Sequence, residues 1–137
     1  MLHDDKVVVV RHRSGSATYH LLPGGGVGYR ETLEDAVLRE VVEETGFHAR
    51  LGPLLFVNDT IDPHGSRHVV NITFAAQIVG GTATDAPIDD NVEAVEFISP
   101  ECLAELDLRP PMAAELCAYL AGTTGQAYLG PLFTAGR

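Results

Sequence analysis

The amino-acid sequence predicts an α/β fold of the α+β kind, in which helices cover a mixed β-sheet. Five runs rich in β-branched residues predict strands. Three helical segments occur among them without the regular strand and helix alternation of a parallel sheet. Because 137 residues suffice for one continuous core, we predict a single domain over residues 1–137.

The predicted strands end near Gly, Pro, Asn or Asp, which favour turns. In chain order they cover residues 6–11, 17–22, 51–58, 67–79 and 92–98. Only five residues precede the first strand, so one edge of the sheet is expected to be open to pairing. We therefore expect a homodimer, or coverage of that edge by the tail at residues 125–137.

Three segments have helical patterns, at Leu33–Thr45, 100–106 and 110–121. Thr32 can cap the first helix through Asp35, and Gly46 can supply the left-handed residue that ends it. Ser99 is the expected N-cap of the second helix, with Pro100 at its first position.

The composition limits the partners and the compartment. Nineteen acidic and nine basic residues give a net charge of -10, which would repel a nucleic acid backbone. No apolar run reaches the roughly 20 residues of a membrane span, so we expect no membrane partner. No basic segment leads into an apolar run at the N-terminus, so a cytoplasmic location is expected.

The sulfur and imidazole side chains do not form a recognisable zinc motif. Cys102 and Cys117 have no CxxC spacing and are predicted to be buried thiols. His64 and His68 would suit zinc only on a helix, and the adjacent glycine and β-branched run favour a hairpin. Arg67 and His68 are instead candidate substrate contacts.

The first helix carries an inward stripe that changes from apolar to acidic. At 3.6 residues per turn, Glu40 and Glu44 continue the stripe that begins with Leu33, Ala36, Val37 and Val41. Core-facing carboxylates are costly unless a cation compensates them. With Glu43 beside them, they offer hard oxygen ligands of the kind Mg²⁺ prefers. The alternative is a solvated acidic face in which Arg39 pairs with Glu43.

The loop before this helix, Leu-Pro-Gly-Gly-Gly-Val-Gly at residues 22–28, favours a ligand site. Consecutive glycines let backbone amides and carbonyls approach a phosphate or a metal closely. Loop and helix together read Gly25-x5-Glu31-x7-Arg39-Glu40-Val41-x-Glu43-Glu44-x-Gly46-Phe47. This pattern resembles the box of the Nudix hydrolase family at every fixed position.

The resemblance implies a Nudix fold, an α/β/α sandwich around a mixed sheet, and Mg²⁺ or Mn²⁺ as cofactor. It places metal at Glu40, Glu43 and Glu44, with the Gly24 carbonyl as a further ligand. Gly25 and Gly26 would face the substrate, Arg39 would orient the glutamates and Glu31 would support the loop. The general base would be Glu40 or an acid of the later loop: Asp89, Asp90 or Glu93.

The implied activity is hydrolysis of a phosphoanhydride bond in a small nucleotide. Pro63, sixteen residues beyond Phe47, favours the subgroup that hydrolyses ADP-ribose, and a related nucleotide sugar would fit equally. Two alternatives stay open: a nucleoside triphosphate pyrophosphatase, and a non-catalytic sensor that binds a nucleotide without cutting it.

Overall fold

A computed structural model describes residues 1–132 of the chain. It contains seven strands and three helical segments. The strands are β1 (Leu2–His3), β2 (Lys6–Ser14), β3 (Ala17–Leu21), β4 (Phe47–Ile61), β5 (His68–Gly81), β6 (Val92–Ile98) and β7 (Tyr128–Pro131). The helical segments are α1 (Leu33–Thr45), a 3-10 helix at Pro100–Glu105 and α2 (Ala113–Leu120).

All seven strands belong to one mixed sheet. Along its main path the order is β3-β2-β1-β5-β4-β7, and β6 pairs with β2. The pairs β1 with β5 and β4 with β7 are parallel, whereas the other pairs are antiparallel. The predicted α+β class with a mixed sheet is therefore confirmed.

The central strand β2 is buried on both faces. Val7 and Val9 join a core cluster with Phe56 of β4 and Leu116 of α2. Val8 and Val10, both 0% exposed, alternate with them and point to the other face. Full burial of a valine side chain contributes roughly 1.5–3 kcal/mol to the stability of the folded state, so the four valines of this strand stabilise the fold substantially.

Helix α1 has the predicted bounds and caps. The Thr32 hydroxyl accepts a hydrogen bond from the Asp35 amide at 3.1 Å. Gly46 has a φ of 77° and donates its amide to the Val42 carbonyl, which ends the helix. One detail of the predicted stripe is wrong, because Leu33 is 42% exposed. Its position in the first turn lies at the rim of a cleft instead of in the core.

The later helices are shorter than predicted. Helix α2 begins at Ala113, because Met112 has non-helical backbone dihedrals as its N-cap and accepts the first helical bond from Leu116. The segment after Ser99 is a 3-10 helix, and the Ser99 side chain makes no capping hydrogen bond. No helix in residues 1–132 has the length and apolar character needed to cross a membrane.

Two short strands were not predicted. Strand β1 connects β2 to β5 through a few backbone pairs. Strand β7 pairs with β4 at the end of the sheet, so this part of the tail covers the edge of β4 and not, as expected, an edge beside the first predicted strand. Residues 133–137 lie outside the described part of the chain. The homodimer stays a prediction.

Candidate active site

The glycine loop is attached to helix α1 by side chains of the helix. The Gly24 amide donates to Oε2 of Glu44 at 2.9 Å, and the Gly26 carbonyl accepts from Nη2 of Arg39 at 3.1 Å. A side chain at Gly25 would collide with the carboxylate of Glu40. A side chain at this position would therefore displace the carboxylate of a candidate site residue.

Arg39 is the centre of an ion-pair network. Its guanidinium donates to both oxygens of Glu31, to Glu40 at 2.8 Å and to Glu43 at 3.2 Å. The Gly28 amide also donates to Glu31, and these bonds lower the pKa of Glu31 to about 2, with Arg39 as the largest cause. Arg39 therefore pairs with Glu43, as the alternative of a solvated acidic face expects, and also with Glu31 and Glu40.

Glu44 is the buried acid of the helix. It is 4% exposed. The hydrogen bond from the Gly24 amide replaces only part of the stabilisation that a carboxylate receives from water. Burial raises its pKa to about 7, the Gly24 amide opposes that rise, and the charges of Glu40, Asp89 and Glu43 add to it. Glu44 therefore lies where a cation would be most stabilising.

Two residues from other elements approach Glu44. Ligand atoms of His12, Glu44 and Asp89 all lie within 4.8 Å of one another. His12 follows Val8 and Val10 on one face of β2 and is 4% exposed, so α1 covers this face of the sheet. Its Nε2 atom has no hydrogen-bond partner among the described residues. Burial lowers the pKa of His12, and the charge of Asp89 opposes that shift.

The loop that ends in β6 holds Asp89 in place. Its Oδ1 accepts from the amide of Asn91 at 2.9 Å and from the side chain of Asn91 at 3.0 Å. The other two acids expected from this loop are placed differently. Asp90 is exposed, and Glu93, on β6, forms ion pairs with Arg11 and Arg13 at 3.4 and 2.5 Å. Of the three loop acids, Asp89 is the one in the cluster around Glu44.

The predicted convergence of Glu40, Glu43 and Glu44 is only partial. Within residues 1–132, the possible metal ligands whose atoms lie within 4.8 Å of one another are instead those of His12, Glu44 and Asp89. Arg39 holds Glu40 and Glu43 by their charges and so separates them from this group. His12 was missed at the sequence level, because the four valines before Arg11 show no alternation that would indicate which face of the strand it takes.

A cleft opens beside this cluster. It is lined by the glycine loop, by Asp89 and by apolar side chains of α1, β4 and β5. Arg67 lines it as well, whereas His68 contacts Oδ1 of Asp59 at 2.7 Å. His64 and His68 belong to no metal-ligating group in the described part of the chain. The cleft can thus admit a small molecule next to Asp89 and the glycine loop.

Comparisons with known proteins agree with this geometry. The model of the NUDIX domain family matches residues 1–119. A protein of Methanocaldococcus jannaschii named ADP-ribose pyrophosphatase is 32% identical over 104 residues. That match covers 75% of this chain and 60% of the relative, so the chain spans less than two thirds of the relative's length.

Solved structures show the same fold. A NUDIX hydrolase from Nitrosomonas europaea superposes with a TM-score of 0.74 at 24% identity, over 89% of this chain and 84% of that one. A Streptococcus suis ADP-ribose pyrophosphatase has a TM-score of 0.67 at 20% identity, over 97% and 92%. The family match covers most of the chain and includes the glycine loop and helix α1. The chain belongs to the Nudix family.

Proposed function

We propose that this protein hydrolyses the phosphoanhydride bond of a nucleoside diphosphate linked to another group, with ADP-ribose or a related nucleotide sugar as substrate and Mg²⁺ or Mn²⁺ as cofactor. The observation that carries the proposal is Glu44, a buried carboxylate near further acids and hydrogen-bonded to Gly24 of a glycine-lined cleft. A buried carboxylate in such surroundings is destabilising unless it takes up a proton or binds a cation.

The residues around Glu44 fit a divalent cation. Carboxylate oxygens of Glu40, Glu43 and Glu44, together with the Gly24 carbonyl, are the hard donors that Mg²⁺ and Mn²⁺ prefer. Gly25 leaves no space between loop and helix for a side chain, so the loop backbone stays close to the acids. When bound, the ion would offset charge on the phosphate oxygens and activate the attacking water.

The side chains of the protein would perform the remaining tasks. Gly25 and Gly26 present backbone to the substrate at the cleft wall, and Arg67 lines the same cleft. Arg39 holds Glu40 at 2.8 Å and fixes the direction of that carboxylate. We assign proton removal from the water to Glu40, with Asp89 as the alternative base because it faces the cleft beside Glu44. The ion pairs of Glu93 with two arginines make it a weaker candidate.

The choice of ADP-ribose is supported by two relatives. The Methanocaldococcus jannaschii and Streptococcus suis proteins are both named ADP-ribose pyrophosphatase. The position of Pro63 in the β4 to β5 hairpin agrees with the same subgroup. Arg67, at the end of this hairpin, could pair with the terminal phosphate or ribose of such a substrate.

A product assay tests the proposal. The purified chain would be incubated with ADP-ribose, other nucleotide sugars, dinucleoside polyphosphates and nucleoside triphosphates, each with Mg²⁺ or Mn²⁺. Release of AMP and ribose 5-phosphate from ADP-ribose is the expected result. Water labelled with ¹⁸O would show which phosphorus atom is attacked.

The same assay separates the alternatives. Preferred conversion of a triphosphate to a monophosphate and pyrophosphate would replace the proposal with the triphosphate pyrophosphatase. Nucleotide binding without any cleavage would support the sensor. The matched variants are Glu44→Gln, expected to lose turnover by hundreds-fold or more, and Glu34→Gln, an exposed acid of the same helix expected to retain it.

A further inference from the structure

We propose that His12, Glu44 and Asp89 form a mixed nitrogen and oxygen site that binds a divalent transition-metal ion such as Mn²⁺, Co²⁺ or Zn²⁺ more tightly than Mg²⁺. The inference rests on the proposed function only in placing a metal at Glu44. It adds a nitrogen ligand from β2 and an oxygen ligand from the loop before β6, both outside the glycine loop and helix α1 that supply the ligands of the proposed function.

The geometry brings three different elements to one point. His12 comes from β2, Glu44 from α1 and Asp89 from the loop before β6, and their ligand atoms lie within 4.8 Å of one another. Ligands of a tetrahedral ion at bond lengths near 2.1 Å are about 3.4 Å apart. Side-chain shifts of about an ångström would therefore close the group around an ion.

Each residue has a ligand atom available. The Nε2 atom of His12 is buried and has no hydrogen-bond partner among the described residues, which is costly for an imidazole nitrogen. The Gly24 amide occupies Oε2 of Glu44, and the Asn91 side chain and amide occupy Oδ1 of Asp89. One oxygen of each carboxylate remains for a cation.

The ring of His12 is held in position before any ion binds. It stacks on Tyr19 of β3 at 5.5 Å between ring centroids and 29° between ring planes. The backbone of β2 is fixed at this point by pairing with both β3 and β6. A ligand that is ordered in advance loses little conformational freedom on binding, which favours affinity.

The ligand types decide which ion is favoured. Imidazole suits Zn²⁺, Co²⁺ and other late transition metals, whereas Mg²⁺ prefers oxygen ligands and keeps several waters. Affinity for a nitrogen and oxygen site rises from Mn²⁺ through Co²⁺. The three residues together should therefore favour a transition-metal ion over Mg²⁺, while Glu40, Glu43 and the Gly24 carbonyl offer oxygen ligands alone.

Metal binding by the full chain tests this site without measuring hydrolysis. Co²⁺ would be titrated into the chelator-treated protein and followed by its visible absorption, and Mg²⁺ by calorimetry. We expect His12→Gln to weaken Co²⁺ binding tenfold or more and Mg²⁺ binding less than twofold. His48→Gln, which replaces an exposed histidine, should change neither.

Two further measurements keep the test decisive if His12→Gln does not fold. Zn²⁺ added to the wild-type protein should shift the ¹⁵N resonance of His12 Nε2, and Asp89→Asn, a change in a loop, should weaken Co²⁺ binding. Folded variants that bind Co²⁺ like the wild type, or an unchanged Nε2 resonance, would overturn the inference. Co²⁺ binding as expected with no nucleotide cleaved would refute the proposed function alone.

Discussion

Replacing Glu44 by glutamine should stabilise the metal-free protein at neutral pH. The pKa of this carboxyl rises from an ordinary value of 4.5 to about 7, mainly because it is buried. Such a group stays protonated up to a higher pH in the folded state than in the unfolded state. Its contribution to stability is therefore complete below pH 4.5 and is lost as the pH rises to about 7.

The size of the effect follows from the pKa shift. One pKa unit corresponds to about 1.4 kcal/mol, so the wild-type protein should lose about 3 kcal/mol between pH 4.5 and 7 through this group. Glutamine keeps nearly the same volume and an acceptor for the Gly24 amide, but it does not ionise. For a chain of 137 residues, 3 kcal/mol corresponds to roughly 10 °C in melting temperature.

The assay is thermal or urea unfolding of both proteins between pH 5 and 8 in the presence of a chelator. The Glu44→Gln protein should lie close to the wild type at pH 5 and melt at a higher temperature at pH 8. Mg²⁺ at pH 8 should then stabilise the wild type more than the variant, because the ion binds the folded carboxylate. Glu34→Gln, an exposed change in the first turn of α1, controls for loss of charge.

Parallel stability profiles of wild type and Glu44→Gln from pH 5 to 8 would refute this reasoning. The carboxyl would then titrate normally, and burial would not make Glu44 a site that needs a cation. A Glu44→Gln protein with near-normal turnover at saturating Mg²⁺ would refute the metal role itself, whatever its stability.

Three further predictions concern the same site. Crystals soaked in Mg²⁺ or Mn²⁺ should show an ion at Glu40 or Glu44, and an ion found only at His64 and His68 would contradict the assignment. Turnover should rise toward alkaline pH, and the apparent affinity for Mg²⁺ should fall below pH 7. Both effects are expected because Glu44 must lose its proton to bind metal. A rate optimum near pH 5 would contradict this prediction. Gly25→Ala should reduce turnover at least tenfold by displacing the Glu40 carboxylate, whereas Gly125→Ala, at an open position, should not; equal turnover of the two variants would show that the close approach is not needed.

Local signals in the sequence were sufficient for helix α1. Its start depends on a hydrogen bond between Thr32 and Asp35, and its end on the left-handed backbone of Gly46, so both are determined within a few residues. Strand β6 was predicted with its bounds for a similar reason, since a turn-forming loop and Ser99-Pro100 enclose it. By contrast, β7 pairs with a strand far along the chain, and β1 has only two residues, which form a tight hairpin with β2 and one long-range pair with β5.

The place of His12 in the cluster could not be predicted from local pattern. Strand β2 is apolar at four consecutive positions because both of its faces are buried, so no alternation shows which face a following residue takes. The approach of Asp89 depends on the pairing of β2 with β6, whose partners are separated by 80 to 91 residues of sequence. Contacts of that kind are set by tertiary structure and have no signature in spacing.

The position of Arg39 explains why the three glutamates of α1 differ. The spacing of Glu40, Glu43 and Glu44 predicts convergence, but the guanidinium of Arg39 already compensates the first two. Glu44 receives one amide hydrogen bond and remains buried with its charge uncompensated. A cation entering this site therefore gains most at Glu44, on the side where His12 and Asp89 supply further ligand atoms. For this reason we expect the charge of Arg39 to direct the metal toward β2 and away from the exposed face of the helix.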